Sequence, residues 1–268
     1  MTRAWPGDRI AAEVAPLLPG FAVEVIGEID STNTELMRRG RAGMSSPVLL
    51  VAERQTAGRG RLGRPWQSAQ QQAEPLSLTF SLGLPLAPRD WSGLSLAVGV
   101  SVADSLDARR SGRLALKWPN DLWVDDCKLG GILIETALPQ GPATGHAPRW
   151  LVIGIGLNIG QRDAEGLRMP PAWVQQWWPD ATPEAALLTL VPPLVRDVLA
   201  FAKEGFAPFA ERFAARDALR GREVQLSDGV AGRCEGVGPG GELRVHTADG
   251  MQSITSSEVS VRPRGVAF

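Results

Sequence analysis

Residues 114–136 read LALKWPNDLWVDDCKLGGILIET, and no other stretch restricts the fold as much. A short apolar run ends at Pro119. Asp121–Val124, an Asp125-Asp126 turn and Lys128–Thr136 then read as a hairpin. Successive strands joined by tight turns pair antiparallel, because a parallel return needs a crossover of a dozen or more residues. A strictly alternating βαβ chain is therefore excluded, and the fold class expected is α+β with a mixed sheet and helices.

The rest of the chain fits that frame. Residues 21–26 alternate like an edge strand. Asp30-Ser-Thr-Asn predicts a turn that caps a helix through Ser31 or Thr32, with Glu35 in its first turn. Val48–Ala52 is a continuous apolar run and predicts a buried strand. Leu76–Leu82 predicts another strand, Trp91–Leu106 an amphipathic helix, and Trp150–Ile159 a buried strand containing glycines. Residues 160–181 read as irregular, and helices are expected over 182–202 and 206–217. After Gly221 the texture changes to short alternating runs separated by Asp-Gly and Gly-Gly turns, which predicts a small β-barrel packed on its neighbour. The expected domains are thus 1–219 and 220–268.

Composition narrows the functional classes. A net charge of −1 gives no global attraction to nucleic acid or to a membrane surface. Two cysteines, Cys127 and Cys234, give neither a disulfide framework nor a metal-ligand spacing, and with no apolar N-terminal signal the expected compartment is the cytoplasm. No window is expected to supply the run of apolar residues a membrane helix needs. His146 and His246 alone make a histidine zinc site implausible. Only Lys117, Lys128 and Lys203 among the 28 basic residues are lysines. Two of these three fall in the stretch quoted above, which suggests that a compact ammonium is needed there.

Four motifs carry candidate chemistry. Gly58-Arg-Gly-Arg-Leu-Gly63 matches the letters of the dinucleotide fingerprint. No helical period follows it, though, and no acidic residue lies about 20 positions on, so the Rossmann reading fails on context. A solvated arginine loop, or a loop whose Arg59, Arg61 and Arg64 fold over a phosphate-bearing ligand, remain. Lys117 and Lys128 fall on neighbouring segments, so their ammonium groups can converge on developing negative charge, with Asn120 and Asp121 at the turn available to a ligand or magnesium. Surface lysines on an ordinary turn are the plainer alternative. Gly154-Ile-Gly-Leu-Asn158 permits close approach of a flat ligand or of another backbone. Asp30–Asn33 taken alone is an ordinary helix cap.

Together, and in this order, the motifs resemble those of the biotin protein ligase family in its form without a DNA-binding domain. The residues that carry the likeness are Asp30–Asn33, Gln55, Gly58–Arg64 with Trp66, Lys117–Asp121, Lys128–Leu133 and Gly154–Asn158. The resemblance implies a class II aminoacyl-tRNA synthetase/biotin ligase-like catalytic domain followed by an SH3-like β-barrel. It implies formation of biotinyl-5′-AMP from biotin and MgATP, then transfer of biotin to a lysine of the biotin carboxyl carrier protein of acetyl-CoA carboxylase, and of other biotin-dependent carboxylases. By position, Ser31, Thr32, Asn33, Gln55, Gly58, Arg59, Arg61, Lys128, Gly131 and Gly154 are expected to bind biotin. Arg59, Arg61, Arg64, Trp66, Lys117, Asn120, Lys128 and Asn158 are expected to bind ATP or the adenylate. Lys128, Arg59, Arg61 and Asp121 are the expected catalytic groups. No firm metal site is implied: magnesium arrives on the ATP phosphates, with Asp121 as the candidate protein ligand or as acceptor of the incoming lysine's proton.

The chain also departs from the family pattern. Residues 67–75 are long and glutamine-rich, and there is no tyrosine anywhere in the chain. About 30 residues precede Ser31, too few for a winged-helix repressor domain, so no operator binding is expected. A lipoate or octanoate ligase or transferase shares the architecture, but the arginine-glycine loop and Lys117–Asp121 favour biotin. An RNA-binding reading would require broad basic patches with exposed stacking aromatics, which this composition lacks.

Overall fold

The structure is a computed structural model, and it describes residues 4–66, 70–71, 74–107, 112–138, 147–161, 171–255 and 261–263. The glutamine-rich 67–75 stretch falls largely outside the described residues, as does His146. The elements are α1 (Gly7–Val14), β1 (Ala22–Ile29), α2 (Thr32–Arg41), β2 (Val48–Gln55), a two-residue pairing of β3 (Gln70–Gln71) with β4 (Glu74–Pro75), β5 (Ser77–Leu86) and α3 (Leu94–Leu106). They continue with β6 (Leu114–Lys117), β7 (Asp121–Val124), β8 (Cys127–Ala137), β9 (Arg149–Asn158), α4 (Pro183–Glu204) and α5 (Ala210–Ala214). Last come β10 (Glu223–Leu226), β11 (Ala231–Val237), β12 (Leu243–Thr247), β13 (Gly250–Ile254) and β14 (Val261–Pro263).

Among the described residues seven strands form the main sheet in the order β1-β2-β5-β9-β8-β7-β6. Only β1 and β2 run parallel; every other pairing is antiparallel. The expected mixed sheet and α+β class are therefore what the chain forms. Helix α2 packs on one face against β2, β5, β8 and β9, while α3 and α4 cover the other. Two apolar layers result: a small one of Leu36, Met37, Val48, Leu50, Trp150 and Val152 beneath α2, and the main core on the α3–α4 side.

Sequence dictates these elements locally. Ser31 is the N-cap of α2, its Oγ accepting from Thr34 N at 3.4 Å, and Asp30 accepts from Ser31 N at 2.6 Å. Thr182 caps α4 in the same way, accepting from Ala185 N at 3.2 Å. Helix α3 differs from the amphipathic expectation. It is buried nearly all round, because the sheet, α4 and α5 enclose it. Helix α4 is long and apolar enough by length and composition to pass for a membrane span, contrary to expectation. Half of that stretch is buried inside the protein, with α3 and α1 packed on it and Pro192-Pro193 within it, as in a core helix.

Two further expectations change. Helix α1 was not anticipated; only Ile10 and Val14 carry its buried face, too short a pattern to stand out. The helix expected over 206–217 is only a 3-10 turn at Ala207–Phe209 followed by α5. Beyond α5 the chain leaves helical geometry to extend the edge of β6. Leu116 N donates to Arg216 O at 2.7 Å, and Ala218 N donates to Leu116 O at 3.0 Å.

Strands β10–β14 make an antiparallel sheet in the order β13-β12-β11-β10-β14, consistent with the SH3-like expectation. It packs onto the main body. Trp118 Nε1 donates to Gly241 O at 3.0 Å, and the Trp118 ring is 1% exposed.

Candidate active site

One cleft on the α2 face of the sheet collects nearly every residue singled out above. It is lined by Ser31, Thr32, Asn33, Gln55, Arg59, Arg61, Arg64, Trp66, Lys117, Asn120, Asp121, Lys128, Gly131 and Gly154, with Thr79, Phe80 and Leu133 among its other walls. Sequence positions more than a hundred residues apart meet here because β5 and β9 occupy the middle of the sheet. Helix α2 drops its first turn onto them.

Apart from the Glu135 carboxylate at its rim, the floor is neutral and continuously hydrogen-bonded. Thr32 N and Thr32 Oγ1 both donate to Gln55 Oε1, at 2.7 and 3.1 Å. Ser81 Oγ lies 2.7 Å from Thr32 Oγ1 and 2.6 Å from Asn33 Oδ1. Asn33 Nδ2 donates to Leu133 O at 3.2 Å and to Glu135 Oε2 at 3.0 Å. Ser31, Thr32, Asn33 and Ser81 are all buried, so each polar atom must find a partner in protein or ligand. Gly154 is required by this packing, since a Cβ there would run into the Asn33 amide. Gly156 stands in the same relation to the Trp66 ring.

The opposite wall is cationic. Lys128 Nζ lies 2.6 Å from Asp121 Oδ1 and Lys117 Nζ 3.5 Å from Asp121 Oδ2, so one carboxylate holds two ammonium groups. The hairpin geometry makes this possible: Asp121 pairs with Lys117 across β6–β7 and with Gly131 across β7–β8. Burial pushes the Lys117 ammonium below the ordinary lysine range; Asp121 opposes this and Lys128 adds to it. Burial alone would raise the Asp121 carboxyl, but Lys128 and Lys117 outweigh it and hold the group below its usual value. Lys117 also sits 5.1 Å from the centroid of the Trp123 ring.

The arginine-glycine loop forms the lid between floor and wall. It is a small closed hairpin, with Trp66 N donating to Gly58 O at 2.8 Å and Gly60 N donating to Arg64 O at 2.7 Å. Leu62 takes a left-handed conformation at its tip, φ 56°. Arg59 reaches back to the floor, with Nη1 3.2 Å from Thr34 Oγ1 and Nη2 3.0 Å from Glu135 Oε1. Arg61 reaches to the wall, its Nη1 donating to Asn120 Oδ1 at 3.3 Å. Burial lowers the Arg61 guanidinium and Arg64 adds to that effect, while Asp121 opposes it. The Trp66 ring lines the cleft and packs on Gly156, and its indole Nε1 is buried with no hydrogen-bond partner among the described residues.

Two expected residues lie elsewhere. Asn158 is off the cleft lining: its Nδ2 donates to Ala172 O at 3.0 Å and to Lys128 O at 3.4 Å, so it anchors the backbone beneath the lysine. Gly58 forms the base of the loop hairpin and not a cleft wall. Two others were not foreseen, Ser81 and Glu135. The signal was a polar residue on the cleft face of an apolar strand: the two-residue period places 79 and 81 together on β5, and 131, 133 and 135 together on β8.

Among the described residues no group of three His, Cys, Asp or Glu is placed to hold a metal ion. Asp121, with both oxygens beside ammonium groups, does not suit a resident divalent cation.

Residues 25–158 match the model of the biotin/lipoate A/B protein ligase family. The bifunctional ligase/repressor BirA of Escherichia coli is 32% identical over 259 residues, which cover 94% of this chain and 78% of that protein. A biotin--[acetyl-CoA-carboxylase] ligase of Paracoccus denitrificans is 32% identical over 88% of this chain and 98% of its own. Among solved structures, the biotin protein ligase of Aquifex aeolicus in complex with biotin and ATP superposes with a TM-score of 0.74 at 28% identity, over 90% of this chain and 98% of that one. The neutral floor, cationic wall and arginine-glycine lid thus belong to a member of the biotin/lipoate A/B protein ligase family, and within it of the biotin protein ligases.

Proposed function

We propose that this ligase forms biotinyl-5′-AMP from biotin and MgATP and transfers the biotinyl group to a lysine of a biotin carboxyl carrier protein, that of acetyl-CoA carboxylase first. The observation that carries the reading is the meeting of a neutral hydrogen-bonding floor with a two-lysine wall in one cleft. A ureido ring is a neutral group with matched donors and acceptors, and Ser31, Thr32, Asn33 and Gln55 offer their complement. A carboxylate beside a triphosphate is anionic, and Lys117, Lys128 and Arg61 supply the countercharge.

In the first step a biotin carboxylate oxygen attacks the α-phosphorus of ATP, and the bond to the β-phosphate breaks as pyrophosphate leaves. Lys128 bridges the carboxylate and α-phosphate oxygens, while Arg59, Arg61 and Arg64 hold the lid over them. Magnesium enters as the counter-ion of the ATP phosphates. In the second step the neutral amine of the acceptor lysine attacks the acyl carbon, AMP departs, and one proton is released. Asp121, held below its usual range, is a weak base, which argues for its part being to fix the two ammonium groups. Gly131 and Gly154 flank the ligand, and Trp66 and Asn120 complete the nucleotide side. Closing the lid keeps water from the mixed anhydride.

The test is biotin-dependent exchange of pyrophosphate into ATP, with lipoate as control. Exchange with biotin alone supports the reading. Exchange with lipoate or octanoate instead would assign the protein to the other branch of its family.

A further inference from the structure

The lid has an anchor in the floor that the proposed reaction does not itself require. Glu135 follows Gly131 and Leu133 on the same side of β8, and its two oxygens do different things. Oε2 accepts from Asn33 Nδ2 at 3.0 Å, and Oε1 accepts from Arg59 Nη2 at 3.0 Å. Arg59 is thereby tied to the same chain of hydrogen bonds that runs through Asn33, Ser81 and Thr32 to Gln55. The Arg59 side chain is 45% exposed and that of Glu135 22%. The pair therefore sits at the cleft rim, where solvent weakens it without abolishing it.

We infer that Glu135 is a positioning residue: its carboxylate holds Arg59, and with it the lid, at the geometry set by the biotin-binding floor. The inference rests on the reading above for its substrate, though not for its mechanics. One oxygen fixes the Asn33 amide with its nitrogen toward β8, which leaves Oδ1 turned to Ser81. The other fixes the guanidinium. Orientation of the pocket and closure of the lid then share one carboxylate, and loosening either side loosens the other.

Glu135→Gln separates the two arms. A glutamine oxygen still accepts from Asn33, whereas its NH₂ faces the guanidinium without attraction. Arg59→Gln, on the exposed loop, breaks the same pair from the other side should the first variant fold poorly. Two readouts apply to each single variant and to the double. In biotin-dependent exchange, Glu135→Gln raises the biotin KM about fivefold, and adds nothing in the Arg59→Gln background. In the free protein, trypsin cleaves after Arg61 several-fold faster than in wild type in both single variants, and the double variant matches the singles. The second readout involves no substrate, so it stands even if the protein activates a different acid. Equal KM effects of Glu135→Gln in both backgrounds, or unchanged cleavage after Arg61, would overturn the inference.

Discussion

The floor and the wall of the cleft use opposite physical strategies. The floor is neutral, buried and internally satisfied: Thr32, Asn33, Ser81 and Gln55 already bond to one another. The wall is charged and under electrostatic tension, with Lys117 largely enclosed beside Lys128 and one carboxylate between them. A preorganised neutral network selects a ligand, because any wrong partner leaves a buried polar group unpaired. A cluster of cations gains most when negative charge develops, so it acts on the rate. On the proposed function, recognition and chemistry fall to different elements: the start of α2 with β2 and β5 for the first, the β6–β8 hairpins for the second.

Breaking the wall is expected to have the largest effect. Lys128→Ala should lower the exchange rate at saturating biotin by about 10²–10³-fold, measured with pyrophosphate. Breaking the floor comes next. Ser81→Ala removes the hydroxyl that lies between Asn33 Oδ1 and Thr32 Oγ1 and so leaves a buried oxygen without its donor, and should weaken biotin about tenfold or more by calorimetry, with kcat little changed. A smaller effect is expected at the joint between the two sheets. Trp118→Phe keeps the ring's burial but removes the donor to Gly241 O, and should cost about 1–2 kcal/mol in a denaturant titration.

The pH dependence sharpens the contrast. Because burial lowers the Lys117 ammonium below 10.5, its native form loses the proton before the unfolded form does. Stability carried by Lys117 therefore rises with pH between its lowered value and 10.5. Activity that needs its charge falls over the same window, so kcat/KM should drop on the alkaline side while the melting temperature does not. On the acid side the lowered Asp121 carboxyl contributes stability that is present above 3.8 and lost as pH falls through its lowered value. Parallel alkaline loss of activity and stability would point to unfolding instead.

Part of the wall was legible in the sequence, since a strand–turn–strand–turn–strand run places Lys117 and Lys128 on neighbouring segments; Asp121 was expected at the turn for a ligand or magnesium, and its pairing with both lysines was not read. The floor was legible in part. Ser31 declared itself as a helix cap, and the glycines of β9 as a site of close approach. Ser81 and Glu135 did not, because their partners lie 48 and 102 residues away at Asn33 and local patterns carry no such pairing. Asn158 stands at the end of β9, and only the full sheet reveals that its amide turns toward Ala172 and the backbone of Lys128. Phe206, Phe209 and Phe213 share a helical face, yet the chain beyond Ala215 is drawn to the open edge of β6, a tertiary contact that overrides the period.

The division of labour is tested most directly by measuring biotin affinity and pyrophosphate exchange together on wild type, Ser81→Ala and Lys128→Ala. The account predicts that Ser81→Ala loses affinity about tenfold but keeps its kcat, and that Lys128→Ala loses exchange by at least about a hundredfold with a much smaller change in affinity. If both variants lose affinity and rate in the same proportion, floor and wall act as one unit and the separation of recognition from chemistry is wrong.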